Sequence, residues 1–520
     1  MYYFVPAWYG QGRIWYDTTS FWFRVFERMQ FDDTVNHIKM FEHVHEPTQL
    51  LILNYSPQLR YYLHKQGLLT SSYWSFFDDI QNIKSMHTNP ISFKELDWPQ
   101  GTAFHHSPFA LVAMLEEAPL AYIHFAENGN LMQIDYQKDG HTDKTYVFDD
   151  RGFLSSLIYY DANGQAQYQD YLNPKGVWQV REVFGEQSEI IINPVSDHMF
   201  RQMTYDSWEA LIIERLSLLS RQYFNDDDTL VIASHEQHNH LLLSLFEKQT
   251  KVLSFFGARY NLASSTFLEV ASAADLMVTD TKTTLSHLKR RLEEVGLSDK
   301  KVTQISPFDT RLRLGHSQFM KELIIYFYID TISDETLREY MLPILDKMAL
   351  CESVQLRLIT FRSDYDLKNL QSWVEQLINE RYERCLFYGE AEGFSENHVD
   401  EEVEELQRIS FEYFSNENHI IEALDSARLV IDLGEVPDLY TQIASISAGV
   451  PQINRVETDY VDHQKNGWLI SSQQEMLEAL DHYFDGLTNW NKALVYAVSK
   501  MSDYTSGKIL AQWQALLEKE

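Results

Sequence analysis

The chain has 520 residues, enough for two or three domains, and 44% of them are hydrophobic, which is the composition of a folded protein. Its 43 basic and 76 acidic residues give a formal net charge of −33. This charge disfavours a nucleic-acid partner and unaided binding to an anionic lipid surface, because both need a positive protein surface.

The two cysteines, Cys351 and Cys385, are too few for a disulfide framework and predict reduced, buried thiols. The first residues lack the basic and apolar regions of a signal peptide, and no apolar run approaches the roughly 18 residues of a membrane-spanning helix. We therefore expect a cytoplasmic protein that reaches a membrane only peripherally, through its partners.

Residues 1–91 begin with alternating strand and helix patterns. Strands are expected at Tyr2–Val5 and Gln49–Leu53, and a helix is expected at Pro57–Gln66. A loop containing Gly10 and Gly12 follows the first strand. This order predicts the first part of a doubly wound parallel sheet.

Residues 92–192 have a different pattern, in which glycines recur at intervals of 11 or 12 residues. Each lies in a turn phrase with Asn or Asp, and alternating apolar and polar runs separate them. The glycines are Gly129, Gly140, Gly152, Gly164 and Gly176. Regular turns between alternating runs predict an extended antiparallel β-sheet.

The strand and helix alternation resumes over residues 193–310, so the antiparallel sheet is predicted to be an insertion within the first Rossmann-like domain. A second Rossmann-like domain is expected over residues 311–490, and helices in 491–520 are expected to cross back to the first. The expected strands of the second domain are Leu323–Ile329, Gln355–Thr360, Cys385–Tyr388 and Leu429–Asp432.

The most informative segment follows the last of these strands. A helix is expected at Asp438–Ser447, Gly449 ends it, and a Val-Pro pair opens another extended segment before an Asn-Gly turn. This layout resembles the nucleotide-sugar half of GT-B glycosyltransferases, with their pattern EGFG…LLEAMASGVPVI…NG. The resemblance implies an α/β fold of two doubly wound Rossmann-type domains.

The same segment departs from the GT-B pattern at the carboxylates that hold the donor. Aligned on the Gly-Val-Pro run, Ala444 takes the place of the second donor-site glutamate, and Val436 takes the place of the first, with Glu435 beside it. Family members that retain the anomeric configuration also place an Arg and, five residues on, a Lys after the first strand of this domain, to neutralise the leaving diphosphate.

No Lys or Arg occurs between Lys321 and Arg338. Because acidic residues occupy this stretch, we expect a degenerate donor site that binds no cofactor. Its residues are Tyr328, Ser333, Glu435, Val436 and Ala444.

A second candidate site lies at the predicted carboxyl edge of the first sheet, where loops of doubly wound folds bind ligands. Gly10, Gly12 and Arg13 are candidates there, although close packing of the loop also explains the glycines. His235 and His238 are candidates on a later loop. The histidine spacing departs from H-E-x-x-H, so we expect no metal site.

The whole chain resembles the first of the accessory secretory proteins of streptococcal accessory Sec systems. The segments that carry the resemblance are MYYFVPAWYGQG, YVFDDRGFLSSLIYYDANGQAQYQDYLNPKG, AADLMVTDT and SAGVPQIN…KNGWLI. Family membership implies a protein without transferase activity. It also implies action with accessory secretory proteins two and three, to hand a glycosylated serine-rich repeat adhesin to the accessory SecA motor.

Two other functions stay open from the residues alone. One is a working retaining glycosyltransferase with Glu435 as the surviving donor ligand, and the other is a carbohydrate- or glycopeptide-binding module. The inserted sheet is expected to offer a peptide platform with exposed Tyr159, Tyr168 and Tyr171, or alternatively to use these rings for packing.

Overall fold

The computed structural model describes residues 1–10, 12–16, 32–84, 87–185, 188–196, 200–390 and 404–518. The chain divides into two compact units. Unit 1 takes in the chain start and Asp33–Gln304, and unit 2 takes in Ile305 onward.

Unit 1 opens with alternating strands and helices, in agreement with the pattern of the first residues. The first two strands are almost wholly buried, as expected for a sheet covered on both faces. The elements are β1 (Tyr2–Val5), α1 (Asp33–His43), β2 (Thr48–Ile52), α2 (Leu59–Lys65), β3 (Tyr73–Ser75) and α3 (Phe76–Ile80).

Ten antiparallel strands follow, each paired with its neighbours in sequence. They are β4 (Ala103–His106), β5 (Leu111–Leu115), β6 (Ala118–Phe125), β7 (Leu131–Lys138), β8 (His141–Asp149), β9 (Phe153–Tyr160), β10 (Ala166–Leu172), β11 (Trp178–Val183), β12 (Glu189–Ile192) and β13 (Thr204–Tyr205). The five regularly spaced glycines all have φ between 75° and 89°, the left-handed conformation that such turns require. The predicted meander is confirmed.

The rest of unit 1 returns to alternating helices and strands. These elements are α4 (Trp208–Tyr223), β14 (Thr229–Ala233), α5 (Asn239–Leu245), β15 (Thr250–Phe255), α6 (Phe267–Ala273), β16 (Leu276–Thr279), α7 (Lys282–Glu294) and β17 (Lys301–Gln304). The parallel sheet has the order β17-β16-β15-β14-β1-β2-β3. Because β14 pairs with β1, the antiparallel sheet interrupts the sequence of the parallel sheet without interrupting its hydrogen bonding.

A buried ionic network anchors the inserted sheet to the helices of unit 1. It forms at the turn between β8 and β9, where Arg60 on α2 contacts Asp150 at 2.6 Å and Asp149 at 3.0 Å. Arg151 in the same turn contacts both oxygens of Asp78 at 2.7 and 2.9 Å. Since the charges are paired and hydrogen-bonded, they can be buried, and they hold the two sheets in one arrangement.

Unit 2 contains a six-stranded parallel sheet with the order β22-β19-β18-β23-β24-β25 and a two-stranded ladder of β20 and β21. Its elements are β18 (Leu323–Tyr328), α8 (Asp334–Leu350), β19 (Val354–Thr360), α9 (Leu367–Arg381), β20 (Tyr388–Glu390), β21 (Glu404–Leu406), β22 (Ile409–Tyr413), α10 (Glu417–Ser426), β23 (Ala427–Asp432), α11 (Leu439–Ala448), β24 (Gln452–Asn454), β25 (Gly467–Leu469), α12 (Gln473–Phe484), α13 (Leu487–Met501) and α14 (Ser506–Leu517).

Two expectations fail in unit 2. The strand expected at Cys385–Tyr388 is a 3-10 turn over Arg384–Leu386, and β20 starts only at Tyr388. The amide of Phe387 closes that turn by donating to the carbonyl of Arg384, so these residues cannot form a ladder. Cys385 is exposed and Cys351 is half-buried, so the expected burial of both thiols is wrong. No helix among the described residues has the length and apolarity needed to cross a membrane.

Candidate functional site

The carboxyl edge of the unit 2 sheet is built by β18 and β23, which run parallel with Tyr328 beside Asp432. Asp432 ends β23 and is almost completely buried. Asp438 caps α11, and its carboxylate accepts the amide of Thr441 at 2.7 Å. Short polar loops between strand and helix therefore bring carboxylates together at the edge where doubly wound folds bind ligands.

Hydrogen bonds from neutral groups hold Asp432 in place. The hydroxyl of Thr331 donates to it at 2.7 Å, the amide of Asp438 at 2.7 Å and the amide of Gly434 at 3.2 Å. Burial raises the pKa of Asp432 to about 6 and also raises the pKa of Asp438. Burial is the main cause of both shifts, and the neighbouring carboxylates add to them, so further negative charge is unfavourable at this edge.

A third carboxylate strengthens this effect. Asp330 follows β18 and accepts the hydroxyl of Thr360 and, at 2.7 Å, the amide of Phe361. Burial, together with the charges of Asp438, Asp330 and Asp432, raises the pKa of the Tyr328 hydroxyl. Three carboxylates therefore lie at this edge, an arrangement that is unfavourable for a diphosphate.

Two arginines in loops that follow strands of this sheet, Arg362 after β19 and Arg455 after β24, have other contacts. Arg362 pairs with Asp364 at 2.9 Å. Arg455 follows β24, is exposed, and reaches the hydroxyl of Thr336 at 3.4 Å. Neither therefore takes the place of the basic pair expected after the first strand.

The predicted donor-site residues have mostly structural contacts. Tyr328 is buried with its ring 4.5 Å from that of Phe361, and Ser333 caps α8 by accepting the amide of Thr336. The other three lie around α11: Glu435 and Val436 in the exposed loop before it, with Val436 77% exposed, and half-buried Ala444 on the helix.

The carboxyl edge of the unit 1 sheet contains a buried histidine. Nε2 of His238 lies 2.7 Å from the carbonyl oxygen of Ala233, which can only accept, so Nε2 carries the proton. Nδ1 then accepts the hydroxyl of Tyr9 at 2.7 Å. His238 has no exposed surface, and burial lowers its pKa to about 3. The expectation that it lines a cleft is wrong, because both nitrogens serve internal hydrogen bonds.

His235 is half-buried and keeps its place among the candidates. Its Nδ1 accepts the amide of Gln237 at 3.2 Å, and its ring lies 5.0 Å from that of Tyr9. Burial, and then the charge of Arg259, lowers its pKa. Among the described residues no cluster of His, Cys, Asp and Glu side chains has a geometry that could hold a metal ion.

Sequence reasoning missed the main ion pair of this edge. Arg259 donates to the two carboxylate oxygens of Asp33 at 2.6 and 3.0 Å, and it also donates to the carbonyls of Ser234 and Ser254. Burial alone would raise the pKa of Asp33, but Arg259, together with His37 and the hydroxyl of Ser254, holds that pKa below its ordinary value. The partners are 226 residues apart, and no local pattern marks the pair.

The glycine loop of unit 1 connects to the inserted sheet through Arg13. Its guanidinium forms an ion pair with Glu182, donates to Gln169, and lies 3.9 Å from the ring of Tyr16 and 4.6 Å from that of Phe184. Gly12 and Arg13 line one groove together, which does not include Gly10, His235 or His238 among its lining residues. The amide of Gly10 donates to the carbonyl of Tyr16 and so shapes the loop.

The three tyrosines of the expected platform do not share one face. Tyr159 and Tyr168 are half-buried cross-strand neighbours with stacked rings 4.6 Å apart, and Arg181 lies 4.2 Å over the ring of Tyr168. Tyr171 is fully buried against the ring of Trp208. Because side chains alternate along a strand, residues 168 and 171 point to opposite faces, so Tyr171 is wrongly included.

Comparison with known proteins gives full-length matches. One family model matches residues 1–520. It describes the accessory Sec system protein that is the first of the accessory secretory proteins. The protein of that description from Streptococcus gordonii is 34% identical over 530 residues, covering 100% of this chain and 99% of the relative.

Solved structures agree with this match. A chain in the crystal structure of accessory secretory proteins 1, 2 and 3 in Streptococcus pneumoniae has a TM-score of 0.83 and 32% identity, with 99% of each chain covered. The pneumococcal O-GlcNAc transferase GtfA, solved with UDP and GlcNAc, has a TM-score of 0.71 at 10% identity, covering 99% of this chain and 98% of that one. The second likeness shows the fold, which is GT-B-like with an antiparallel sheet inserted in the first Rossmann-type unit.

Proposed function

This chain belongs to the accessory Sec system family of the first accessory secretory protein, and we propose that it is a non-catalytic, glycosyltransferase-like component of that system. In this proposal it acts with accessory secretory proteins two and three. Together they deliver a glycosylated serine-rich repeat adhesin to the accessory SecA motor for export. The occurrence of accessory secretory proteins 1, 2 and 3 in one pneumococcal structure supports the first part of the proposal.

The observation that carries the non-catalytic assignment is the acidic edge of the unit 2 sheet. A nucleotide-sugar donor leaves as a diphosphate, so transfer needs cations or hydrogen-bond donors where that charge develops. Asp330, Asp432 and Asp438 occupy this edge instead, and the donors around Asp432 are already directed at its own carboxylate. A diphosphate would meet repulsion where a transferase offers stabilisation.

One observation favours the alternative of a working transferase. Arg455 is exposed beyond β24, and no carboxylate contacts it among the residues that the structure describes. If it swung toward a donor, it could supply one positive charge, with exposed Glu435 as a sugar ligand. A single exposed arginine does not offset three carboxylates, so this function is the second candidate.

Enzyme assays separate the two functions. We expect the full chain to release no UDP from UDP-GlcNAc, with or without an unglycosylated or glycosylated serine-rich peptide, and to co-purify with accessory secretory proteins two and three. UDP release that Arg455→Ala abolishes would establish the transferase instead. Release that persists in that variant would also contradict a non-catalytic role.

We also propose that the face of the inserted sheet with Tyr159 and Tyr168 contacts a partner polypeptide. The stacked rings and the guanidinium of Arg181, which Asp170 holds through two contacts of 2.6 and 2.9 Å, form a preorganised surface. Replacing both tyrosines by alanine is expected to weaken co-purification of the glycosylated adhesin or of the other accessory proteins. Tyr223→Ala, an exposed tyrosine at the end of α4, is the control.

The location of the protein is part of the same proposal. With a net charge of −33, the isolated chain is expected to remain unbound to anionic vesicles at physiological salt and to reach them only with its partners. Flotation of the isolated chain with such vesicles would contradict this, and Lys289 and Arg290 on α7 would then be the first residues to substitute.

A further inference from the structure

A groove of about 630 Å³ in unit 1 has no part in the proposed function. Its walls are the glycine loop, strands β9 to β12 of the inserted sheet, and the start of α4. The volume lies within the range of about 300–1,000 Å³ that is usual for small-ligand and side-chain binding sites.

Side chains in the walls of this groove are held by internal contacts before anything binds. Arg13 is held by Glu182, Gln169 and two aromatic rings, and the indole of Trp15 donates to Glu209 at 2.9 Å. An occupant would therefore not have to order these side chains, which removes a main cost of binding.

The lining combines apolar surface with negative charge. Ile14 is 64% exposed at the rim, and Phe184 and Ile158 are half-buried inside. The carboxylates outnumber the cations: Arg13 stands against four acidic residues, which are Glu182, Glu189, Asp206 and Glu209.

Two of these four carboxylates already have partners, Arg13 for Glu182 and Trp15 for Glu209. Glu189 and Asp206 are exposed, and neither has an ion-pair partner among the residues that the structure describes. A phosphate, nucleotide or carboxylate ligand would be repelled here, whereas a cationic group would gain two partners.

We propose that this groove binds an extended segment of a partner protein in which arginine or lysine alternates with apolar residues. Side chains of an extended segment alternate in direction, so a basic side chain can reach Glu189 and Asp206 while its neighbours cover Ile14 and Phe184. The proposal goes beyond the export function and is independent of the donor-site edge in unit 2.

The test uses the full chain and a fluorescein-labelled peptide of alternating leucine and arginine, followed by fluorescence anisotropy. We expect saturable binding that the double variant Glu189→Gln/Asp206→Asn weakens by about tenfold or more. Ile14→Ser should weaken it as well, because apolar contact is lost. Both acidic side chains are exposed and unpaired, so these variants should fold normally, which circular dichroism checks.

The matched control removes the same number of charges elsewhere on unit 1. Glu247→Gln/Asp299→Asn changes two exposed carboxylates outside the groove and is expected to alter affinity by less than about twofold, because distant surface charges are screened. Three results would overturn the proposal: no saturable binding to the unmodified chain, equal loss in the two double variants, or equal binding of a peptide with glutamate in place of arginine.

Discussion

The two parallel sheets of this protein differ in the partners of the carboxylates at their carboxyl edges. In unit 1, the buried carboxylate of Asp33 is matched by the guanidinium of Arg259, beside the neutral His238, while buried Asp280 accepts a backbone amide. In unit 2, Asp330, Asp432 and Asp438 share an edge whose internal contacts come from hydroxyls and amides. A parallel sheet of the Rossmann type can therefore form with either set of side chains at its carboxyl edge. The charge of the ligand that the edge could accept differs between the two sets.

The largest expected effect concerns the ion pair of unit 1. Asp33→Asn removes the buried carboxylate that accepts the guanidinium of Arg259 at 2.6 and 3.0 Å, and we expect a loss of about 3–5 kcal/mol in the free energy of unfolding, measured by urea denaturation. The exposed pair of Lys248 and Asp226, 3.7 Å apart, provides the control, and Asp226→Asn should cost at most about 1 kcal/mol. Equal effects would mean that the edge of unit 1 does not depend on charge pairing.

A smaller effect is expected from the loop packing at the edge of unit 2. A Cβ added to Gly434 would lie 2.3 Å from Cβ of Thr331 and 2.8 Å from its carbonyl oxygen. We expect Gly434→Ala to cost about 1–3 kcal/mol of unfolding free energy through overpacking. Gly12→Ala in unit 1 is the matched control, because no atom lies within 4 Å of its added Cβ. If Gly434→Ala left the free energy of unfolding unchanged, the loop around Asp432 would not be constrained by packing.

The contributions of the two edges to the free energy of unfolding should change in opposite directions with pH. The pKa of Asp432 is about 6 in the folded chain, against a reference value of 3.8. Between these pH values the folded state binds more protons than the unfolded state, so the contribution of Asp432 to stability is lost as pH rises. The pKa of His238 is about 3 against 6.5, so the unfolded state binds more protons, and its contribution is lost as pH falls.

Denaturation of the unmodified chain, Asp432→Asn and His238→Gln between about pH 4 and about pH 6 measures these slopes. The stability difference between the unmodified chain and Asp432→Asn should decrease with rising pH. The corresponding difference for His238→Gln should increase. Slopes of the same sign would contradict the electrostatic contrast between the edges.

Much of this architecture follows from local patterns. The regular glycines predict the hairpins of the inserted sheet, because each turn needs a left-handed residue. The segment from β23 to Gly449 can also be predicted from the sequence. A buried apolar strand, an Asp that caps the next helix and a glycine that ends this helix follow one another in order. The absence of basic residues after β18 is visible in the sequence without any structure.

The remaining features depend on contacts between distant residues. Arg13 pairs with Glu182 and Arg259 pairs with Asp33, at separations of 169 and 226 residues, so neither pairing has a local pattern. The burial of His238 depends on Tyr9, which comes from another loop. Tyr171 is different, because strand alternation relative to Tyr168 could have placed it on the buried face.

The acidic edge of unit 2 is tested most directly by isothermal titration calorimetry of the full chain with UDP-GlcNAc. We predict no saturable heat, because Asp330, Asp432 and Asp438 repel a diphosphate and no Lys or Arg lies between Lys321 and Arg338. Saturable binding with a micromolar Kd would contradict the acidic-edge explanation, since it would mean that the three carboxylates do not prevent a diphosphate from binding.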